Sequence, residues 1–375
     1  MDFAKSDIQT MLLDSAERLL AEQAHVEYWR EQFHSATGFD EARWGQFAEL
    51  GWLALPVAEA AGGLGGSIED VALLNVALGK ALAKEPYVSS VVVAAHILSQ
   101  AEDQTRAEDL LGGIAGGTTR VALGHLENGA APLATDSAAT VARADGHGYL
   151  LTGKKILALD APSAQHLIVS ARIEGESGVA LFIVDAETPG LQRESYPLID
   201  GTRAADVHFT DLSLPAEALL VPADRGAEVL AEGIDRGMIA LMAQAVGAME
   251  AANAVCGAYV RERRQFGTAI GSFQAIQHIM ADNFVAAHQA RSMLYHALAN
   301  ADQPPAKRAA ALSAARIVIG DAGQLVSRNG IQVHGGYGLT DEYAIGHYFR
   351  RLMCIEKLHG DLVGHVERFG QVLFD

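Results

Sequence analysis

Arg261-Glu262-Arg263-Arg264-Gln265-Phe266-Gly267, followed by Gly271-Ser272-Phe273-Gln274 and Gln277, is the stretch on which the reading of this sequence turns. Upstream, Ile234, Met238, Leu241, Ala245, Met249 and Ala252 recur on one helical face, predicting a helix to about Arg263. Three arginines therefore close a long helix. Their guanidinium groups are planar, permanently charged donors suited to phosphate oxygens. The bland alternative is that cations near a helix C-terminus complement its dipole. The residues alone leave both readings open.

Working outward, a second helix is expected from about Phe273 to Ala299, and Pro304-Pro305 breaks the chain before a third over Ala309–Arg328. A fourth starts near Asp341 and reaches about Leu358, and a short one ends the chain. Four long helices with short connections read as a bundle. Between the third and fourth lies Gln332-Val333-His334-Gly335-Gly336-Tyr337-Gly338-Leu339-Thr340. Its glycines allow a ligand close to the backbone, or they simply cap a helix.

The stretch before the bundle has a different texture. Strand-like runs appear at Arg120–Gly124, Ala139–Ala142, His166–Ile173, Val179–Val184 and Val207–Phe209. Asp145-Gly146 signals a hairpin, and Thr152-Gly153-Lys154 and Pro189-Gly190 read as turns. Without intervening helices, these strands predict a small antiparallel barrel or sandwich rather than a Rossmann arrangement. The first third reads as helical. Ser6 and Gln9 form a capping-box pattern. Gly62-Gly63-Leu64-Gly65-Gly66 lacks phosphate-loop spacing and is read as a tight turn between helices.

Composition narrows the function. Half of the 375 residues are hydrophobic and 20% are charged, which excludes a disordered chain. The net charge of −18 speaks against a nucleic-acid partner. No run approaches 18 uninterrupted apolar residues, and Met1-Asp2-Phe3-Ala4-Lys5 does not open a secretory signal, so a cytoplasmic protein with no membrane partner is expected. Cys256 and Cys354 build no disulfide framework, and the 14 histidines contain no pair three or four apart, so no metal site is expected. There is no G-x-S-x-G elbow and no G-x-x-x-x-G-K loop.

Taken together on this α–β–α plan, the two constellations resemble the acyl-CoA dehydrogenase family over essentially the whole chain. The residues that carry the resemblance are Arg263-x-x-Phe266-Gly267 with Phe273-Gln274, and Gln332-x-x-Gly335-Gly336-x-Gly338. Leu50-Gly51-Trp52, Pro56 and the Gly62–Gly66 turn add to it. The resemblance implies an α+β fold: a helical N-terminal domain (1–117), a middle β domain (118–222) and a C-terminal four-helix bundle (223–375). It implies an acyl-CoA substrate, an electron-transfer flavoprotein as acceptor, and a tetramer with FAD between subunits. By the same resemblance, Arg263 and Gln274 face the pyrophosphate region of a neighbour's FAD, and Gln265 and Phe266 are further cofactor-binding candidates. Gln332, Gly335 and Gly336 lie along its adenine half.

Three family features are missing. The Thr-Glu-Pro segment that wraps the flavin corresponds to Leu123-Gly124-His125-Leu126-Glu127, and Trp-Ile-Thr gives way to Ile156-Leu157-Ala158. The usual Glu base is replaced by His359, followed by Gly360-Asp361, and the alternative position on the first bundle helix holds Gly237. Desaturation of a thioester needs a base at the α-proton. His359 is the first candidate, with Asp361 and Asp235 behind it; an ordinary polar turn residue is the bland reading of His359. What is retained faces a neighbour's FAD, and what is lost faces the chain's own. That imbalance resembles the small subunit of a pimeloyl-CoA-type heterotetramer. A flavin monooxygenase on the same fold and a non-catalytic subunit are the alternatives.

Overall fold

The computed structural model describes residues 5–129, 131 and 133–374. The first four residues, on which the expectation about a leader rested, lie outside that range. The chain divides into two compact units. One takes in residues up to His34, Ile68–Ala83 and the chain from Met238 onward; the other takes in Ser35–Ser67 and Lys84–Gly237.

The second unit carries the sheet. Helices α3 (Glu41–Glu49), α5 (Ala95–Ser99) and α6 (Gln104–Ala115) belong to it, with a wider π-type turn over Tyr87–Ala94. Eight strands follow: β1 (Val121–Gly124), β2 (Val141–Ala144), β3 (Gly148–Leu159), β4 (His166–Ile173), β5 (Ala180–Asp185), β6 (Leu191–Pro197), β7 (Arg203–Pro215) and β8 (Leu219–Val221). They pair in the order β6-β7-β3-β2-β4-β5-β8, with β1 also on β4. The pairing is mainly antiparallel, but β4 accepts both β1 and β2 in parallel. Leu151, Leu167, Val169, Phe182, Val207 and Phe209 fill the core beneath it.

The expected hairpin is present: Asp145 N–H donates to the Gly148 carbonyl at 3.2 Å between β2 and β3. The expected turn at Thr152–Lys154 is not. Those residues run on inside β3, paired with both β2 and β7, and a bulge between Leu151 and Gly153 absorbs the irregularity. Ladder bonds on both edges outweigh the local turn preference. Strand β6 has no hydrophobic run to announce it. It is an edge strand of mainly exposed or half-buried residues, defined by its register on β7.

A charged cluster lies inside this unit. Lys155 Nζ donates to Glu127 at 2.5 Å and to Ser170 Oγ at 3.0 Å, and Glu127 also accepts from Thr140 Oγ1 and two backbone amides. Burial alone would raise the Glu127 carboxyl, but these bonds outweigh it and hold its pKa at about 2. For Lys155 burial wins and lowers the pKa to about 8.

The first unit is helical. It contains α1 (Asp7–Ala21), α2 (Val26–His34), α4 (Ile68–Lys80), most of α7 (Gly226–Glu262), the two-residue strands β9 (Arg264–Gln265) and β10 (Thr268–Ala269), and α8 (Gln274–Ala299). Helices α9 (Pro305–His334), α10 (Ala344–Lys357) and α11 (Leu362–Phe374) complete it. The Ser6–Gln9 capping box forms in both directions. Helices α4 and α7 touch at backbone distance: a Cβ on Gly79 would stand 2.1 Å from the Gln244 carbonyl oxygen, and one on Gly247 2.0 Å from that of Val76. Beside this crossing, Arg351 donates to Gln244 at 2.6 Å, and Gln244 donates to Asn75 at 2.9 Å, tying α10, α7 and α4 together. Helices α7 and α9 are long and apolar enough to cross a membrane by length and composition. The most apolar windows of these two stretches are 72% and 56% buried inside the structure, which makes both core helices.

Glu127→Gln should leave the Lys155 ammonium buried without its counter-charge. We expect a loss of roughly 3–5 kcal/mol in urea unfolding at pH 7, largely restored by adding Lys155→Met. Because the folded carboxyl titrates below its unfolded value near 4.3, its stabilisation is complete above about pH 4.3 and fades toward pH 2. The wild type should show this acid loss in unfolding curves and Glu127→Gln should not.

Candidate functional site

Helix α7 ends because the chain turns into the β9–β10 hairpin. Phe266 (φ 54°) and Gly267 (φ 84°) form its two-residue tip, both in the left-handed region that such hairpins require. The Phe266 side chain is consequently 93% exposed. Helix α9 ends at Gly335, whose φ of 60° and ψ of −139° suit glycine alone. The two helix ends meet. Tyr259, one turn before Arg263, stacks on the His334 ring with centroids 4.2 Å apart, and its hydroxyl donates to the His334 carbonyl at 3.4 Å. Tyr343 closes on both rings, at 5.8 Å and 5.1 Å.

Between these ends lies an open cavity of about 650 Å³. Arg263, Gln265 and Phe266 line it from the hairpin side, and Gln332, Gly335 and Gly336 line it from the end of α9. The structure thus brings together six of the seven residues singled out as cofactor-facing. The seventh, Gln274, is exposed at the start of α8, next to the lining residue Phe273. The Arg263 guanidinium stands 5.8 Å from the centre of the Tyr337 ring. Sequence reasoning passed over Tyr259, His334 and Tyr337. The signal for Tyr259 was its i−4 spacing from Arg263, which puts both on one helix face.

His359 lies elsewhere in the same unit, in the turn between α10 and α11, half-buried and with φ 54°. Arg316 of α9 organises that turn. Its buried Nη2, which has two hydrogens to share, lies within hydrogen-bond reach of the carbonyls of Ile355, Glu356, Leu358 and Gly360 at 3.1, 3.3, 2.8 and 3.1 Å. Burial lowers its pKa to about 10. His365 adds a bond from Nε2 to the His359 carbonyl at 3.0 Å, and burial lowers its pKa to about 3, so it is neutral there. Asp361 accepts from Gly364 N–H at 3.0 Å and so caps α11. Asp235 is buried on α7 and falls in the other unit.

In that other unit the segment after β1 points its polar groups inward. Glu127 meets Lys155, and the His125 ring lies between Ser170 Oγ at 3.1 Å and the Ala134 carbonyl at 2.8 Å. Leu157, in the stretch that replaces Trp-Ile-Thr, has φ 51° at a second bulge of β3.

Comparison with known proteins agrees with this architecture. The chain matches the acyl-CoA dehydrogenase N-terminal domain over residues 6–118, the middle domain over 127–212 and the C-terminal domain over 224–363. It is 30% identical over 363 residues to the probable acyl-CoA dehydrogenase YngJ of Bacillus subtilis, covering 93% of this chain and 92% of that one. A chain in the ChsE4-ChsE5 complex from Mycobacterium tuberculosis superposes with a TM-score of 0.90 at 25% identity, over 100% of this chain and 99% of its own. Butyryl-CoA dehydrogenase from Megasphaera elsdenii gives a TM-score of 0.89 at 25% identity, over 100% of both chains. The chain therefore belongs to the acyl-CoA dehydrogenase family, the FAD-dependent oxidoreductases whose three-domain α+β fold it shares.

Proposed function

We propose that this chain is one subunit of a cytoplasmic acyl-CoA dehydrogenase that works as a heterotetramer with a homologous chain. The complex desaturates an acyl-CoA thioester at its α,β-bond, as in fatty acid β-oxidation, and passes electrons to an electron-transfer flavoprotein. The three family domains divide at 1–117, 118–222 and 223–375.

One observation carries this reading. The cavity at the ends of α7 and α9 is lined by an arginine, aromatic rings, amides and glycines, a set that suits a dinucleotide, and the family resemblance aligns His359 with the position of the usual Glu base. The residues present fit FAD. Arg263 offers a permanent charge to a diphosphate. A Cβ on Gly335 or Gly336 would meet nothing within 4 Å, so the backbone lies open to a ligand. Phe266 and Tyr337 present exposed ring faces, and Gln332 presents an amide for a base edge. Gln265 and Gln274 are the remaining polar groups we assign to this ligand. When bound, FAD supplies the two-electron acceptor for the desaturation. This chain's residues hold the dinucleotide of the neighbouring subunit, and the partner supplies the base. A heteromeric relative, the ChsE4-ChsE5 complex, supports such an assembly.

A second reading has its own observation. His359 is an L-residue in a left-handed conformation, in a turn tied down by Arg316 and His365. Such strain is found at functional positions. In that case the chain works on its own thioester, with the His359 imidazole taking the α-proton.

Coexpression with a homologous chain should yield a complex holding about half a mole of flavin per subunit, bleached by an acyl-CoA without oxygen. A homotetramer fully loaded with flavin and active alone would overturn the heteromeric reading. In the complex, Arg263→Ala should weaken FAD binding by roughly tenfold or more, as loss of a charge-assisted bond predicts. His359→Ala should leave the bleaching rate unchanged; a drop of about 10²-fold or more would move the proton transfer to this chain.

A further inference from the structure

Asparagines from α7, α8 and α9 come together in the helical unit. Asn283 of α8 is 0% exposed. Its backbone carbonyl accepts from Asn253 Nδ2 of α7 at 3.2 Å, and its side-chain Oδ1 accepts from Asn329 Nδ2 of α9 at 2.7 Å. One residue of α8 thus holds both helices whose ends form the cavity. Stability does not account for this cluster. Asn253 Oδ1 and Asn283 Nδ2 are buried and have no hydrogen-bond partner among the described residues. Such atoms cost free energy that apolar side chains of similar shape would not.

What the cluster supplies is direction. Ala286, Ala287, Ala290 and Ala297 make up most of the remaining buried face of α8. Apolar contact is non-directional, and a face built mainly of alanine discriminates little between one axial setting and the next. The Tyr259–His334 stack draws the two helix ends together, but aromatic pairs tolerate offset. Hydrogen bonds do not, because they weaken steeply with distance and angle. Asn253 precedes Tyr259 by six residues, and Asn329 precedes His334 by five. The bonds therefore act within about two helical turns of the rings that meet at the cavity.

We propose that Asn253, Asn283 and Asn329 are positioning residues that set the axial register of α7 against α9. They hold the hairpin side of the cavity level with its glycine side. A buried asparagine that fixes register while lowering stability is an attested device of helix packing. The register holds whatever ligand the cavity takes.

The test combines crystal structures and urea unfolding of the full-length protein with FAD titration of the coexpressed complex. Asn253→Leu cuts the α7–α8 bond, and Asn283→Leu with Asn329→Leu cuts the α8–α9 bond. Neither change strands a partner, since the Asn283 carbonyl also belongs to its own helix. We expect both to unfold at the wild-type urea midpoint or above it. The end of α7 should nonetheless shift along α9 by at least about 1.5 Å, one residue's rise, and disrupt the Tyr259–His334 stack. Asn253→Ala, at a half-buried position and without added bulk, should give the same shift. FAD affinity should fall about tenfold, the equivalent of one ordinary hydrogen bond; this readout alone rests on the cavity being a dinucleotide site. Helix ends that stay in place in all three proteins, with the stack at its wild-type spacing, refute the proposal whatever happens to stability. A shift confined to the leucine variants is overpacking and refutes it too. Should Arg263→Ala leave FAD affinity unchanged, the dinucleotide reading falls, and the displacement of the helix ends still decides the register.

Discussion

Tyr259 of α7 and His334 of α9 lie far apart in the chain, and their stacking at 4.2 Å brings the two helix ends together. Each end alone is an ordinary terminus. Joined, they enclose a cavity lined by a guanidinium, aromatic rings, amides and open glycine backbone. Both are C-terminal ends, where the last carbonyls are unsatisfied and the helix dipole is negative. Such a place repels phosphate. Of the arginines at 261, 263 and 264, Arg263 lines the cavity; in the proposed reading a diphosphate at these termini needs such positive charge beside what complements the dipole.

The α10–α11 turn uses a buried charge differently. The Arg316 Nη2 group shares its two hydrogens among four carbonyls of one turn. Leaving those carbonyls unpaired in the interior would be costly, and one guanidinium nitrogen within reach of all four offsets part of that cost. The His359 backbone is thereby set by α9, the helix that also ends at the cavity. The sheet unit has an equivalent in Lys155 and Glu127, which sit where the family resemblance led one to expect groups turned toward a flavin.

Some of this was legible in the residues. The capping box at Ser6 and Gln9, the Asp145-Gly146 hairpin and the long α7 and α8 follow from local pattern, and the structure has them. The two constellations were visible because arginines, glycines and amides cluster within a few positions. Strand β6 was not visible, because an edge strand with no buried stripe has no periodic signature and exists only through its partner. The Thr152–Lys154 stretch carried turn chemistry that pairing on two sides overrode. Helix α9 runs on past its expected end at Arg328 to His334, where Gly335 stops it. The setting of the His334 ring was beyond any sequence argument, since it depends on which carbonyl Nδ1 meets and on which rings crowd it.

Phe266, His359 and Leu157 share a property independent of their chemistry. Each is an L-residue with φ between 51° and 54°, and each sits in one of the family's signature segments. An L-residue in this region costs on the order of 1 kcal/mol relative to the right-handed form, a cost glycine does not bear. Stability and function thus pull in opposite directions at these places. A search for thermostable variants that scored melting alone would drift toward glycine at 266 and 359, erasing the exposed ring and the imidazole while improving its own score. Directed evolution of this chain needs a binding readout beside the thermal one, or it will tend to select a better-folded protein that has lost what these turns hold out.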